Sequence, residues 1–256
     1  EPDEISLSID VFFCNDDIAK AVIRRTLPSY PPERIFTTGT PTLDSLENDK
    51  ADEYRKTTRE KLGVDDDTLV VLYLGDVSGD YHGCDLEINK KTFERTYEAL
   101  NKAAEIHPDR HIVLLYRQHP RDPEPISAAE ALAGSSSTVK ILSGNQPFTI
   151  NEITAGSDVI MSLQGTDNML APLRGKRSAY LAYEGKGLGG DLLEHDFGPE
   201  IISAIENTRG VSVVRNKEDV MQMIDTILSV PADITSSRYL GNASKKILDI
   251  VFEKKS

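Results

Sequence analysis

Apolar and polar positions along this chain alternate between two periods. Short unbroken runs of Val, Ile and Leu stop abruptly. Longer stretches follow in which apolar residues recur every three or four positions. The first pattern belongs to strands buried on both faces and the second to amphipathic helices. Strands are expected at residues 11–14, 34–38, 68–74, 111–116, 139–142, 158–163, 178–183 and 211–214. Helices are expected at 17–26, 42–62, 88–106, 126–133, 148–155, 166–174, 199–207, 217–229 and 237–253. Asn15 or Asp16 suits the start of the first helix, Gly63 the end of the second, and Pro172 weakens the later part of 166–174.

Strands that alternate with helices of this length imply βαβ units and a parallel sheet. The six strands between residues 68 and 214 therefore predict a doubly wound, mostly parallel, Rossmann-like α/β sheet with helices on both faces. Residues 1–40 have their own strand–helix–strand pattern, bounded by prolines, and are expected to form a partial N-terminal layer or an inter-domain segment. Residues 41–256 would then be the main domain.

Composition narrows the function. A net charge of -13 over 256 residues opposes an extended nucleic-acid surface, which needs a basic stripe. It leaves room for a local anion site, which needs only two or three donors. No apolar run approaches the roughly 20 residues that span a bilayer. Cys14 and Cys84 lack metal-ligand spacing and read as isolated thiols, which suggests a reducing, cytoplasmic setting. No His/Cys cluster suggests a metal, and Asp65-Asp66-Asp67 after Leu62-Gly63 reads as a solvated turn. The first residue is Glu1 rather than Met, so a processed chain and an excised piece are both open.

Three loops at the carboxyl ends of expected strands carry candidate chemistry, because ligands of open α/β sheets bind there. In the loop 75–83, Gly75 and Gly79 would let the backbone approach a phosphate and Ser78 would donate to it. This loop is neither a Walker loop nor a dinucleotide fingerprint. In Arg117-Gln118-His119-Pro120-Arg121, His119 can donate to a phosphate oxygen and Arg117 can clamp two. In Ser162-Leu163-Gln164-Gly165-Thr166-Asp167-Asn168, a strand runs into a helix start. Ser162, Gln164, Gly165, Thr166 and Asp167 would surround an anion there, or Thr166 or Asp167 would simply cap the helix. His119 is the best catalytic candidate of the set.

These residues carry a resemblance. The segment 34–44, containing Gly39-Thr40-Pro41-Thr42-Leu43-Asp44, is similar to a "tG-x-P-x-x-D" pattern of UDP-N-acetylglucosamine 2-epimerases and teichoic-acid glycerophosphotransferases. The stretch 55–63 and Val70-Val71-Leu72-Tyr73 continue it. Tyr116 to Arg121 resembles the His-Pro motif of those families and of bacterial sialyltransferases, and Gly156-Ser157-Asp158-Val159-Ile160-Met161-Ser162 resembles their "aD-x-x-x-(T/S)" strand. The resemblance is to the C-terminal, donor-binding domain of GT-B-fold glycosyltransferases. It implies that His119 contacts donor phosphate, that a CDP-, CMP- or UDP-linked donor is the substrate, and that no separate cofactor is needed. It departs from the pattern where a ribose-binding glutamate is usual, because Met169, Leu170 and Ala171 occupy that region. It also implies a second, acceptor-binding domain, as an N-terminal part or a partner chain, for which this chain has no room.

The leading expectation is a nucleotide-sugar-binding, or more broadly nucleotide-donor-binding, domain of a GT-B-type transferase, inactive alone if it is a fragment. The rival is a diverged, non-catalytic binding or assembly module of the same fold. A 2-epimerase and a Mg-dependent phosphoester hydrolase using Asp76 and Asp80 stand behind these.

Overall fold

Leu69, Val71 and Tyr73 face one side of their strand, Val70, Leu72 and Leu74 face the other, and all six are buried. A strand with no wet face needs cover on both sides, and the chain supplies it with helices. A computed structural model describes residues 9–44, 50–76, 88–119, 138–143, 147–163, 165–184, 198–199, 202–203, 205–207, 210–229 and 242–253. They fall into two compact units, 1–50 with 236–256, and 51–235.

In the first unit, β1 (Phe12–Cys14) and β2 (Ile35–Thr37) pair in parallel around α1 (Asp17–Thr26). Asp16 takes the cap, accepting from the Ala19 N–H at 2.8 Å. Cys14, Tyr30 and Ile35 form a small core, and burial pushes the Cys14 thiol up. A short turn of helix, α2 (Pro41–Asp44), ends on a residue with a long reach. The two Asp44 carboxylate oxygens accept from the N–H groups of Ala243 and Ser244, 2.9 and 2.7 Å away, and so cap the last helix, Ala243–Glu253. The acid of the "tG-x-P-x-x-D" pattern thus caps a helix.

The second unit contains α3 (Ala51–Leu62), β3 (Leu69–Leu74), α4 (Ile88–Ile106), β4 (Ile112–Arg117), β5 (Lys140–Ser143), α5 (Ile150–Gly156), β6 (Val159–Ser162), α6 (Thr166–Leu170), β7 (Arg177–Leu181), β8 (Val211–Val214) and α7 (Lys217–Ser229). The terminal helix, Ala243–Glu253, is α8. The six strands are all parallel and lie in the order β5-β4-β3-β6-β7-β8. The doubly wound sheet expected from the pattern is therefore present. Helices α4 and α7 cover the face of Leu69, Val71 and Tyr73, and α3 and α5 pack together on the other side. Tyr73, Phe93 and Tyr116 stack edge-on within the first core, with Phe93 5.1 and 5.4 Å from the two tyrosine rings.

The boundaries moved for identifiable reasons. The single helix expected over 42–62 is described as Pro41–Asp44 and Ala51–Leu62, with 45–49 outside the described residues. Gly63 ends α3 as expected: its φ is +66°, and the Val64 N–H turns back to the Arg59 carbonyl. The helix expected from 148 starts at Ile150 because Thr149 and Glu152 form a capping box. Pro172 ends α6 and opens a 3-10 turn, Pro172–Arg174. The helix expected at 126–133 lies outside the described residues.

A buried cation joins the amino ends of the central strands. Arg59 on α3 is 2% exposed. Its guanidinium donates to the carbonyls of Gly156, Asp65 and Thr68 and to the Asp158 carboxylate. Asp158 in turn accepts from the Val70 N–H at 2.8 Å and pairs with Arg55 at 2.9 Å. One network therefore ties α3, the β3 entry and the β6 entry. Asp65, expected in a solvated turn, closes that turn through Thr68, whose hydroxyl and N–H hold its carboxyl below the usual carboxylate range. Close packing completes the joint. A methyl group on Gly156 would lie 2.6 Å from the Thr58 side chain, so only glycine lets α5 approach α3 this closely.

Removing one member of a buried ion pair strands the other. Arg59→Ala should cost about 3–5 kcal/mol in urea unfolding of the intact chain, whereas a loss below about 1 kcal/mol would contradict this network. Lys176 gives a second expectation. Burial first, and then Arg55, lower its pKa from 10.5 to about 8. Between those values the unfolded chain binds the extra proton, so stability should rise from pH 8 toward 10.5. That rise should be missing in Lys176→Met, and equal slopes in the two proteins would refute it.

Candidate functional site

The chain places β3, β4 and β5 toward one edge, then crosses over to place β6, β7 and β8 toward the other. The reversal lies between β3 and β6, and the carboxyl ends beside such a switch point are where open α/β sheets hold ligands. Register aligns the ends. Leu74 pairs with Arg117, and Tyr73 pairs with Met161. Two strand spacings of about 4.8 Å put the β4 and β6 ends roughly 10 Å apart across β3.

The β3 exit is pinned from two sides. The Gly75 N–H donates to the Arg117 carbonyl at 2.8 Å, and the Asn89 side-chain amide donates to the Asp76 carbonyl at 2.6 Å. A methyl group on Gly75 would sit 2.9 Å from the Tyr116 hydroxyl, 3.3 Å from the Arg117 carbonyl oxygen and 3.4 Å from the His119 nitrogen. Gly75 and the Arg117–His119 backbone are thus brought together as the sequence suggested. Arg117 also has a tethering role: its guanidinium donates to the Phe148 carbonyl at 3.0 Å and fixes the approach to α5. His119 is half-buried at the strand exit.

At the third strand end, Ser162 is buried and its hydroxyl oxygen accepts from the Gly165 N–H at 2.7 Å. Gly165 itself is the residue that caps α6, with no side-chain cap, so the turn is closed by Ser162 rather than by Thr166 or Asp167. Its φ of -56° is open to any residue. Glycine is required instead because a methyl group would meet the Ser162 hydroxyl at 2.6 Å. Helix α6 has only five residues, so it offers an anion a few N–H groups and little summed dipole. Asp167 is engaged by Arg174 at 3.4 Å, and Arg174 reaches Asn151 as well. Ser78, Gly79 and Gln164 lie outside the described residues, as does the side chain of Thr166.

Two positioning residues were not singled out in the sequence, Asn89 and Asn168. Asn168 is fully buried, donates to the carbonyls of Ser162 and Ala179, and accepts at its backbone carbonyl from the Ser178 hydroxyl. It fixes α6 over β6 and β7. A buried amide amid apolar neighbours is the only sequence signal for it. Among the described residues, no group of three or more His, Cys, Asp or Glu could hold a metal. No described helix is long and apolar enough to cross a membrane.

Residues 3–162, more than half of the chain, match the family described as CDP-glycerol:poly(glycerophosphate) glycerophosphotransferase. The chain belongs to this glycerophosphotransferase family. No curated protein matches it in sequence. Among solved structures, it is similar to the UDP-GlcNAc 2-epimerase from Neisseria meningitidis bound to UDP-GlcNAc, at 19% identity and a TM-score of 0.59, over 97% of this chain and 62% of that one. The wall teichoic acid polymerase TagF gives 17% identity and a TM-score of 0.59, over 99% of this chain and 60% of that one. A putative UDP-N-acetylglucosamine 2-epimerase from Listeria monocytogenes gives 17% and 0.64, over 98% and 61%. At these identities the likeness establishes the shared GT-B-type fold, and this glycerophosphotransferase-family chain spans about 60% of those structures' length.

The Ser162–Gly165 contact is open to a double-mutant cycle. Gly165→Ala should destabilise the chain by about 1–3 kcal/mol through overpacking, and by clearly less in a Ser162→Ala background. Equal costs in both backgrounds, measured by urea unfolding, would contradict the close approach as the reason for glycine.

Proposed function

We propose that this glycerophosphotransferase-family domain binds a nucleotide-activated donor of the CDP-glycerol class at the carboxyl ends of β3, β4 and β6. The observation that carries the reading is the convergence of Gly75, Arg117 and His119 beside the switch point, in a chain whose family takes its description from a CDP-linked donor. In this reading the diphosphate lies over the glycine-lined β3 exit. His119 donates to a phosphate oxygen, Arg117 holds the strand end in place, and the Gly165–Thr166 backbone contributes N–H groups from the β6 side. Ser78, Gly79, Gln164 and Asp167 complete the proposed surround.

The chemistry proposed for the whole protein is phosphoryl transfer. An acceptor hydroxyl oxygen bonds to the glycerol-bearing phosphorus, the bond to the CMP oxygen breaks, and the hydroxyl proton passes to a base. Negative charge grows on the departing CMP phosphate. A donor N–H from His119 already aimed at that oxygen stabilises the transition state without reorganisation. The acceptor and the base belong, in this proposal, to the portion of the relatives' length that this chain does not span.

One observation favours a second reading, a binding or assembly module without turnover. The sole carboxylate of α6, Asp167, is engaged by Arg174, and Met169 and Leu170 follow it where the family resemblance expects an acid. Calorimetry on the intact chain with CDP, CMP and UDP separates the two. The donor reading expects one of them to bind with a Kd of about 1 mM or tighter, and His119→Ala to weaken it at least about tenfold, as loss of a hydrogen bond to a charged group does. Absence of binding by all three would remove the donor reading and leave the module.

A further inference from the structure

The opposite end of the sheet carries a cleft that the donor site does not use. It has a volume of about 530 Å³ and lies at the amino ends of β3, β4, β6 and β7, against the last turn of α7. That size is within the range of small-molecule sites. Six residues of β3 at about 3.3 Å each put it roughly 20 Å from the Gly75 exit.

Its walls divide by chemistry and by depth. Leu69, Ile227 and Leu228 supply an apolar side. Arg55 and Asp158 also line it, but they pair with each other at 2.9 Å and largely cancel. Asp66 and Asp67 stand on the rim exposed to water, where their charge is screened. Behind that rim Lys176 and Arg177 are part-buried, while Arg110, exposed like the two aspartates, extends from the turn before β4, and its guanidinium has no hydrogen-bond or ion-pair partner among the described residues. Lys176 has a defined direction. Its ammonium has three N–H groups, and two of them donate to the carbonyls of Ala155 and Ser157, both at 2.7 Å. Those two bonds satisfy carbonyls at the end of α5 and leave the third N–H for the cleft that Lys176 lines. The α7 C-terminus opposes this with about half a negative charge, less than the ammonium of Lys176 alone supplies. In a chain of net charge -13, such a recess is a local exception.

We propose that this cleft is a second ligand site, for an organic phosphate or carboxylate with an apolar body. The anionic group meets the third N–H of Lys176 and the guanidinium of Arg110, and the body lies on Leu69, Ile227 and Leu228. The site is independent of the donor reading, because none of its residues is at the carboxyl ends of the strands.

The probe is 1-naphthyl phosphate, titrated into the intact chain by calorimetry, with inorganic phosphate and 1-naphthol as the two halves of the molecule. The expected result is saturable binding of 1-naphthyl phosphate, tighter than either half by at least about tenfold. Arg110→Glu, an exposed position whose change leaves the fold intact by circular dichroism, should weaken it about tenfold or more, and Arg110→Lys should restore part of the loss. His119→Ala should bind the probe as the unaltered chain does. No binding, unchanged binding in Arg110→Glu, or loss of binding in His119→Ala would each overturn the proposal.

Discussion

The Arg59–Asp158 junction is the constraint on which the rest of the sheet depends. A guanidinium that is 2% exposed has little water to solvate it, so its charge and donors must be met by the protein. They are met by the Asp158 carboxylate and by carbonyls of Asp65, Thr68 and Gly156. Those partners lie at the entries of β3 and β6, the two strands that flank the point where the chain reverses direction across the sheet. Holding their amino ends together sets the register of β3 against β6, and register decides which residues emerge side by side at the other end. The candidate donor site is thus aligned by a charge pair at the far end of the strands.

The "aD-x-x-x-(T/S)" strand has its two polar residues at opposite ends of β6, and they do different work. Asp158 accepts the Val70 N–H and pairs with Arg59 and Arg55 at the entry. Ser162 shapes the turn at the exit by accepting from Gly165. Asp44, the acid of the other family-like pattern, caps α8 through two backbone N–H groups. In both motifs the acidic residue secures structure.

The strands and their order were legible because burial on both faces writes an unbroken apolar run, as in Val70-Val71-Leu72, and because helices of regular period separate them. Gly63, Asp16 and Pro172 marked helix ends through local chemistry that a sequence displays. The long-range contacts were not legible. Arg59 reads as one charge among many on an exposed-looking helix, and its partner Asp158 is 99 residues away. Gly165 read as a phosphate-approach glycine, yet the reason visible in the structure is the Ser162 hydroxyl beside it. Arg117 read as an anion clamp and is found holding the Phe148 carbonyl. Pattern reports which residues are buried or cap an end. It does not report which distant backbone group a side chain will satisfy.

The proposed donor site would divide the labour along the strands, with structure locked at the amino ends and the donor held at the carboxyl ends. Amide chemical shifts of the intact, isotope-labelled chain titrated with CDP test it directly. The account predicts saturable shifts at Gly75, His119 and Gly165, with Val70 and Asp158 unmoved. Shifts confined to Val70, Asp158 and their neighbours, or none at any of these amides, would contradict it.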